Sequence, residues 1–177
     1  FCLKWDIDLS NKTDPYNMIK ILAKIFGLIT ILLLAFMLIG IWLPGTWYAE
    51  SSIEISAPPQ AIFPLIVDLD RWDEWTQWSE VQSTTSTPSY GPGALRTWDN
   101  DQYGSGSITI IESHPENVLR YRVVVEEKSE VIGNFNIKPS KSGSTITWNE
   151  TGDFGNNPLM GYVAITMGKS QGKQLSE

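Results

Sequence analysis

The pattern of apolar and polar positions divides the chain into one long apolar run and a following region of short, alternating segments. The run is Ile25–Leu43, nineteen residues without a charged side chain. At about 1.5 Å per residue, a helix of this length spans the hydrocarbon layer of a bilayer. A buried core helix would keep a polar face, and a signal peptide would have a shorter run and a small-x-small cleavage site. The run therefore predicts an uncleaved membrane anchor.

The charges that flank this run predict its orientation. Lys20 and Lys24 precede it, and no Lys or Arg follows until Arg71. The positive-inside tendency then places the N-terminus in the cytoplasm and the rest of the chain in the periplasm or outside the cell. Three aromatic residues near the end of the run are expected to form a belt at the exit interface: Trp42, Trp47 and Tyr48.

These features predict three parts of the chain. Residues 1–17 are polar and show no sustained hydrophobic period. The chain begins with Phe, whereas Met18 resembles an ordinary start before an anchor. We therefore expect residues 1–17 to be a non-native or disordered leader. Residues 18–48 form the anchor, with the span at 25–43. Residues 50–177 are long enough for one domain with its own core.

The start of the domain alternates between strand and helix signals. Residues 51–56 alternate with period two, which predicts a strand. Pro59 is suited to the first position of a helix that runs to about Val67. Asp70 is expected to cap a second short helix, Arg71–Trp78, which carries tryptophans at three-residue spacing on one side: Trp72, Trp75 and Trp78.

Short segments bounded by turn residues follow and predict an antiparallel sheet, because their connections are too short for crossover helices. The predicted strands are 94–98, 106–113, 118–126, 131–138 and 145–153. Pro158 then begins a closing helix without a stop signal, so we expect that helix to be incomplete at Glu177. Its apolar side is predicted to consist of Leu159, Met160, Val163, Ile165 and Met167.

Composition excludes several classes of function. From Glu50 onward the chain has 17 acidic and 9 basic residues, a net charge of −8, which argues against nucleic acid or an anionic membrane surface as a partner. Cys2 is the only cysteine and His114 the only histidine, so we expect no disulfide, no metal site and no cofactor. A lone loop histidine is expected to be solvated rather than catalytic.

The order of strand, two short helices, antiparallel strands and long C-terminal helix resembles the SRPBCC superfamily of START-like and birch-allergen-like domains. Within it, the chain is most similar to the polyketide cyclase/dehydrase-like branch of small membrane-anchored bacterial proteins. The resemblance covers about residues 44–177. The segments that carry it are Ser52–Ile55 with Ala57–Pro59, Phe63–Asp68, Asp70–Trp78, Gly93 with Trp98, Gly104–Gly106, Gly143–Trp148 and Asn157–Pro158.

This resemblance implies an α+β helix-grip fold, in which a curved antiparallel sheet of about six to seven strands wraps on a long C-terminal helix. It also implies a cavity between sheet and helix, which in relatives binds lipids, steroids or polyketides. Strand alternation, together with the apolar sides of the helical segments, then predicts which side chains face a small hydrophobic ligand. They are Trp75, Trp78, Trp98, Ile108, Ile110, Tyr121, Val123, Phe135, Ile137, Ile146, Trp148, Met160, Val163 and Met167.

Two charges lie on otherwise apolar strand faces, Arg96 beside Trp98 and Glu150 beside Trp148. They could hold the polar end of a ligand, or a desolvated Glu150 with a raised pKa could transfer protons. Alternatively, both lie near strand ends and reach water, because charged residues are seldom fully buried. The tryptophan triplet is similarly open to two interpretations, a ligand-binding wall or the contact that packs the short helices on the sheet.

Three functions remain. The first is an anchored domain that binds a small hydrophobic molecule outside the cytoplasm. The second is a cyclase- or dehydratase-type enzyme that uses Glu150, Arg96 or Tyr121, which would have to converge in one pocket. The third is a protein-interaction module without a ligand, whose partner the sequence does not identify. No nucleophile–base pair or cofactor loop is present, so the sequence favours binding over catalysis.

Overall fold

The computed structural model describes residues 15–101, 104–115, 117–127, 129–155 and 157–174, and of Gln77 and residues 169–174 only the backbone. Most of the predicted leader, including Cys2, lies outside the described residues. The chain divides into two units, Phe1–Ile39 and Gly40–Glu177. The described part of the first unit belongs to helix α1, Pro15–Trp42, whose last residues lie in the second unit. Its 28 residues are long and apolar enough to cross a membrane or to serve as a signal sequence.

The second unit is built on a seven-stranded sheet in which each strand pairs antiparallel with its neighbours. The spatial order is β1-β7-β6-β5-β4-β3-β2. With helices α2 and α3, this arrangement confirms the predicted α+β class. The elements are β1 Thr46–Ile55, α2 Pro59–Val67, β2 Ser83–Thr85, β3 Leu95–Asn100, β4 Gly104–His114, β5 Val118–Val125, β6 Ser129–Pro139, β7 Ser144–Asp153 and α3 Pro158–Gln174.

Helix α2 has the predicted bounds, but the segment after it differs from the prediction. Instead of one helix, it contains two 3-10 turns, Leu69–Glu74 and Gln77–Glu80. The first is capped by Asp68, which accepts from the Asp70 backbone N–H at 3.2 Å, so the predicted cap at Asp70 is wrong. The tryptophan spacing does not distinguish the two forms, because residues three apart share one side of a 3-10 helix and of an α-helix.

The first strand begins at Thr46, well before the predicted residue 51. Its early residues alternate in burial, with Trp47 and Ala49 buried and Tyr48 exposed. Trp47 is only 5% exposed and packs with Ala49 and Ala164, so its predicted place in an interfacial belt is wrong. Strand β2 was not predicted, since three polar residues carry no readable period.

The core lies on the face of the sheet that α2 and the 3-10 turns cover, which we call the inner face. Its most deeply buried side chains belong to the first 3-10 turn and to β4 and β5. The buried apolar residues of β3–β7 share this face and pack in the core. The largest fully buried side chains there are Leu69, Trp72, Ile108, Ile110, Leu119 and Tyr121.

Helix α3 packs on β1 with a different side from the one predicted. Its buried positions are the small residues Gly161 and Ala164. A Cβ at Gly161 would lie 2.6 Å from the Cβ of Leu43, so only a residue without a side chain permits this approach. The large apolar side chains consequently point outward and are 37–50% exposed: Leu159, Met160, Val163 and Ile165.

Candidate functional site

Tyr121, Gly133 and Glu150 form a row across three neighbouring strands of the inner face. Tyr121 pairs with Gly133 between β5 and β6, and Gly133 pairs with Glu150 between β6 and β7. A Cβ at Gly133 would overlap the Tyr121 ring. The ring therefore lies across β6, and its hydroxyl donates to Glu150 Oε1 at 2.6 Å. Because Gly133 has no side chain, Tyr121 on β5 can reach Glu150 on β7 across the strand between them.

Trp148 extends this pair to a chain of hydrogen bonds. Its indole Nε1–H donates to the Tyr121 hydroxyl oxygen at 2.8 Å. Because that hydroxyl has one proton and gives it to Glu150, the direction of the chain runs from Trp148 through Tyr121 to Glu150. We call these three residues the polar chain. All three side chains belong to strands of the sheet and lie on its otherwise apolar inner face. Tyr121 and Glu150 are both buried.

Electrostatics keep the phenol of Tyr121 in its neutral form. Burial raises the pKa of Tyr121 well above its usual value, and the nearby Glu150 carboxylate raises it further through its charge and its hydrogen bond. The hydrogen bond from Trp148 acts in the opposite direction and is the smaller effect. Tyr121 is therefore a hydrogen-bond donor throughout the physiological pH range.

An aromatic wall surrounds the polar chain. Phe135 stacks on Trp148 with ring centroids 4.7 Å apart, and Trp75 meets Trp148 edge-on at 6.1 Å. Trp72 contacts the Tyr121 ring at 5.2 Å, and its indole N–H donates to the Ile66 carbonyl at 2.9 Å. Trp72 is buried, so it packs the 3-10 turns on the sheet as one interpretation expected. Trp75 and Trp148 are only partly buried and border accessible space.

Sequence reasoning missed Trp47, which lies one inner-face position beyond Glu150. Trp47 pairs with Gly152, and its ring lies over that glycine, while Ala49 pairs with Glu150. Its indole Nε1 is buried and finds no acceptor among the residues that the structure describes. An unpaired buried donor costs about 1–3 kcal/mol, and such groups are rare in native proteins. The alternation of Trp47 and Ala49 with the residues between and around them could have predicted a strand here. The proximity of Trp47 to the apolar run favoured a membrane belt instead.

Arg96 does not belong to this site. It is in β3, four strands from β7, which is about 19 Å at the usual strand spacing. It is 3% exposed and forms an ion pair with Asp73 Oδ1 at 2.8 Å. Its other donors reach Ser83 Oγ at 2.8 Å, the Leu69 carbonyl at 3.0 Å and the Trp78 carbonyl at 3.4 Å.

Two expectations about charges are thereby corrected. Arg96 and Glu150 do not reach water from strand ends, because both are buried and paired in the interior. Nor do Arg96, Tyr121 and Glu150 converge in one pocket, as the enzyme hypothesis required. Only Tyr121 and Glu150 meet, because they share the row that crosses Gly133.

The remaining predicted ligand contacts divide into two groups. Those on the strands pack within the main core, together with Trp78, which meets the Trp98 ring at 4.9 Å: Trp98, Ile108, Ile110, Val123, Ile137 and Ile146. Of the residues on α3, Met167 packs against the cluster that contains Trp47, whereas Met160 and Val163 lie on the exposed side. Contact of any of them with a ligand stays a prediction.

Candidate metal ligands are spread over the described part of the chain. No group of three or more His, Cys, Asp or Glu side chains comes together there. His114 is exposed at the end of β4, with its Nε2 2.7 Å from Glu112 Oε1. An open groove of about 650 Å³ lies near the start of β7 and the start of α2, lined among others by Pro59, Pro115 and Ile137. It is at the opposite end of β7 from Glu150.

A seven-stranded antiparallel sheet with its inner face covered by helical segments defines a helix-grip α+β domain. Residues 46–175 match the family model described as polyketide cyclase/dehydrase and lipid transport. The match covers well over half of the 177 residues, and the chain therefore belongs to this family of the SRPBCC superfamily. No curated protein matches the chain.

Solved structures share this fold at low sequence identity. A protein of unknown function from Staphylococcus aureus has a TM-score of 0.56 at 8% identity, over 73% of this chain and 86% of that one. The di-domain ARO/CYC StfQ of the steffimycin biosynthetic pathway has a TM-score of 0.52 at 12% identity, over 73% and 48%. The protein MLL2253 from Mesorhizobium loti has a TM-score of 0.50 at 16% identity, over 72% and 93%. These identities support the fold alone.

Proposed function

We propose that this protein is a membrane-anchored domain that binds one small hydrophobic molecule on its inner face, beside the polar chain. The apolar run Ile25–Leu43 serves as the anchor, and the domain that begins with β1 at Thr46 holds the ligand. The observation that carries this proposal is the buried Trp47 indole N–H, which has no acceptor among the described residues and lies next to Glu150 on an apolar face. A ligand oxygen would satisfy that donor.

The surroundings of this position suit an apolar ligand. Phe154 and Met167 are partly buried and pack against the cluster that contains Trp47. Trp148 and Val131 are partly buried and pack against the cluster that contains Trp47. Apolar walls with few fixed polar groups are typical of small-molecule sites. The ligand class that fits is an apolar body with a carbonyl, ester or hydroxyl oxygen.

The first test is native mass spectrometry of the full chain, purified from its membrane in mild detergent, combined with lipid extraction. We expect a bound apolar molecule at one copy per chain. Trp148→Ala should abolish its retention, because it removes both the stacking partner of Phe135 and the donor to Tyr121. Lipids that adhere only to the anchor should be retained equally by both proteins.

A matched control is Tyr90→Ala, since Tyr90 is 60% exposed and pairs with Asp68 outside the named strands. It should retain the ligand. Loss of ligand in Tyr90→Ala as well as in Trp148→Ala, or a wild-type chain that binds no apolar molecule, would contradict the proposal. Capture of a protein partner by a ligand-free chain would favour an interaction module instead.

The orientation of the anchor is part of the same proposal, with the N-terminus in the cytoplasm. It is supported by Lys20 and Lys24 before the apolar run and by the absence of Lys and Arg from there to Arg71. Cys2 is a suitable probe because it is the only cysteine in this sequence. A membrane-impermeant maleimide should label Cys2 only after the membrane is opened, and a Lys141→Cys chain without Cys2 should be labelled on intact cells. The reverse pattern would contradict this orientation.

Catalysis is a second candidate, supported by one observation, the neutral Tyr121 phenol that donates to Glu150. In this pair Glu150 would act as a general base toward a ligand, and the Tyr121 hydroxyl would orient its carboxylate. The test is the mass of the bound ligand over time. A mass change in wild type that Tyr121→Phe prevents without loss of binding would favour an enzyme, and an unchanged ligand would favour a carrier.

A further inference from the structure

The first eleven residues of α3 are apolar on nearly every side. Pro158–Gly168 contains no charged residue and qualifies as a short apolar helix. A helix that is apolar all round is normally buried, and apolar stretches of this length are typical of core or interfacial helices. Here four large side chains are 37–50% exposed instead, which calls for a partner: Leu159, Met160, Val163 and Ile165.

The orientation of α3 is fixed by contacts that larger residues would prevent. A Cβ at Gly40 would overlap the backbone of Pro158, and one at Gly161 would lie 2.6 Å from the Cβ of Leu43. Further along, a Cβ at Gly168 would lie 2.8 Å from the Tyr48 carbonyl oxygen. A rotation that turned Leu159 or Val163 inward would place a side chain where there is no room. The outward position of the apolar residues therefore follows from the packing.

These contacts also place the start of α3 at a defined point of the chain. Gly40 and Leu43 belong to the second unit and form the end of the apolar run Ile25–Leu43. Trp42 between them is 89% exposed, and tryptophan is enriched at membrane–water interfaces. If the run is the anchor, the first turns of α3 lie where the chain leaves the hydrocarbon layer.

We propose that the exposed apolar side of α3 lies in the interfacial layer of the bilayer that holds the anchor. This inference rests on the proposed anchor. The partner is the boundary between headgroups and acyl chains, and the contact is apolar rather than electrostatic, because residues 158–168 carry no charge and the region from Glu50 onward has a net charge of −8. The domain is thus held to the membrane at a second place, through one side of the helix that packs beside Trp47.

The test uses the full chain in phosphatidylcholine nanodiscs, with Cys2→Ser and one cysteine for an environment-sensitive fluorophore. Val163→Cys reports on α3, Lys141→Cys in the exposed β6–β7 turn is the control, and Leu33→Cys reports on the anchor. We expect a blue-shifted emission and quenching by lipid-borne nitroxides at positions 163 and 33, and neither at 141. Anionic lipid should leave the quenching at 163 unchanged.

The three positions separate this inference from the anchor proposal. Quenching at position 33 with water-like emission at 163 would overturn the α3 contact and leave the anchor intact. No quenching at position 33 would overturn both. A blue shift at 163 without quenching would mean that protein, such as a second copy of the chain, covers α3, and it would overturn the bilayer contact. Quenching at 163 that requires anionic lipid would overturn its apolar character.

Discussion

Arg96 and Glu150 carry the same sequence signal, a charge beside a tryptophan on an apolar strand face, yet they have different surroundings. Arg96 reaches the Leu69 and Trp78 carbonyls and the Asp73 carboxylate, so its partners come from the two 3-10 turns. Glu150 instead accepts a hydrogen bond from the hydroxyl of Tyr121, which belongs to the sheet itself. Arg96 therefore holds the two 3-10 turns against the sheet. Glu150 lies near Trp148, which is only partly buried.

The role of a buried charged side chain therefore depends on which elements supply its hydrogen-bond partners. Arg96 donates to the backbone carbonyls of neighbouring segments and pairs with Asp73, so these contacts belong to the fold. The polar chain that contains Glu150 begins at Trp148, which is only partly buried, and lies beside the Trp47 indole N–H, which has no acceptor among the described residues. We therefore expect substitutions at Arg96 to act on stability, and substitutions around Glu150 to act on stability and ligand binding together.

The largest effect is expected for Arg96→Met. It removes the donor to the buried Leu69 carbonyl and the ion pair with Asp73, and should lower the free energy of unfolding by about 2–5 kcal/mol. Urea denaturation of the full chain in mild detergent, followed by tryptophan emission, measures this loss. Arg120→Met, at an exposed position of β5, should change it by less than about 0.5 kcal/mol. Equal losses in both variants would contradict the structural role of Arg96.

Gly133→Ala should be next, with a loss of about 1–3 kcal/mol in the free energy of unfolding. The added Cβ would overlap the Tyr121 ring and displace its hydroxyl from Glu150. In a Tyr121→Ala background the same substitution should cost much less, since the ring is gone. An additive double-mutant cycle would show that the glycine is needed for some other reason. Lys138→Ala, exposed on the same strand, is the control.

Tyr121→Phe should lower the free energy of unfolding by about 1–2 kcal/mol and weaken ligand binding. It leaves Trp148 Nε1 without an acceptor and Glu150 without the phenol donor. The matched control is Tyr48→Phe, because Tyr48 donates to Glu50 in an exposed tyrosine–glutamate pair on β1. That pair should contribute little in water. A similar loss in both variants would show that burial of the polar chain does not matter.

The pH dependence of stability should distinguish the buried tyrosine. Since the folded-state pKa of Tyr121 is raised, its stabilising contribution is complete below the unfolded value of about 10 and is lost as the pH rises above it. Urea titrations at increasing alkaline pH should show a steeper fall in stability for wild type than for Tyr121→Phe. Parallel curves would contradict the raised pKa.

Trp47→Phe should give the smallest effect, a loss of about 0.5–1.5 kcal/mol in ligand binding free energy, the typical net value of one hydrogen bond. The comparison is Trp42→Phe, at an 89% exposed indole on α1. Isothermal titration with the ligand identified by mass spectrometry measures both affinities. An unchanged affinity in Trp47→Phe would show that the indole N–H of Trp47 does not donate to the ligand.

Much of the fold could be predicted from the sequence because its local signals agree with the tertiary structure. Pro59 begins α2 as expected, and the alternation that orients Phe135 and Trp148 follows from strand geometry. Two signals depended on context instead. The tryptophan spacing was compatible with an α-helix until the 3-10 turns were seen, and Trp47 after an apolar run was compatible with a membrane belt.

The candidate site was less predictable because it depends on register between distant strands. Tyr121 and Glu150 were both candidates, but their contact requires Gly133 to lie between them, and sequence does not give that alignment. The outward position of Val163 was unpredictable for a similar reason. It follows from glycine contacts between residues more than a hundred positions apart, such as Gly40 and Pro158.

The most direct test of the account is the indole ¹⁵N–¹H resonance of Trp47, assigned through Trp47→Phe and recorded for the full chain in nanodiscs with and without the identified ligand. The account predicts that ligand moves this resonance downfield, as expected when the N–H gains an oxygen acceptor, and that Trp42 is unaffected. A Trp47 resonance that does not move while the ligand is bound would contradict the claim that the inner face beside Glu150 holds it.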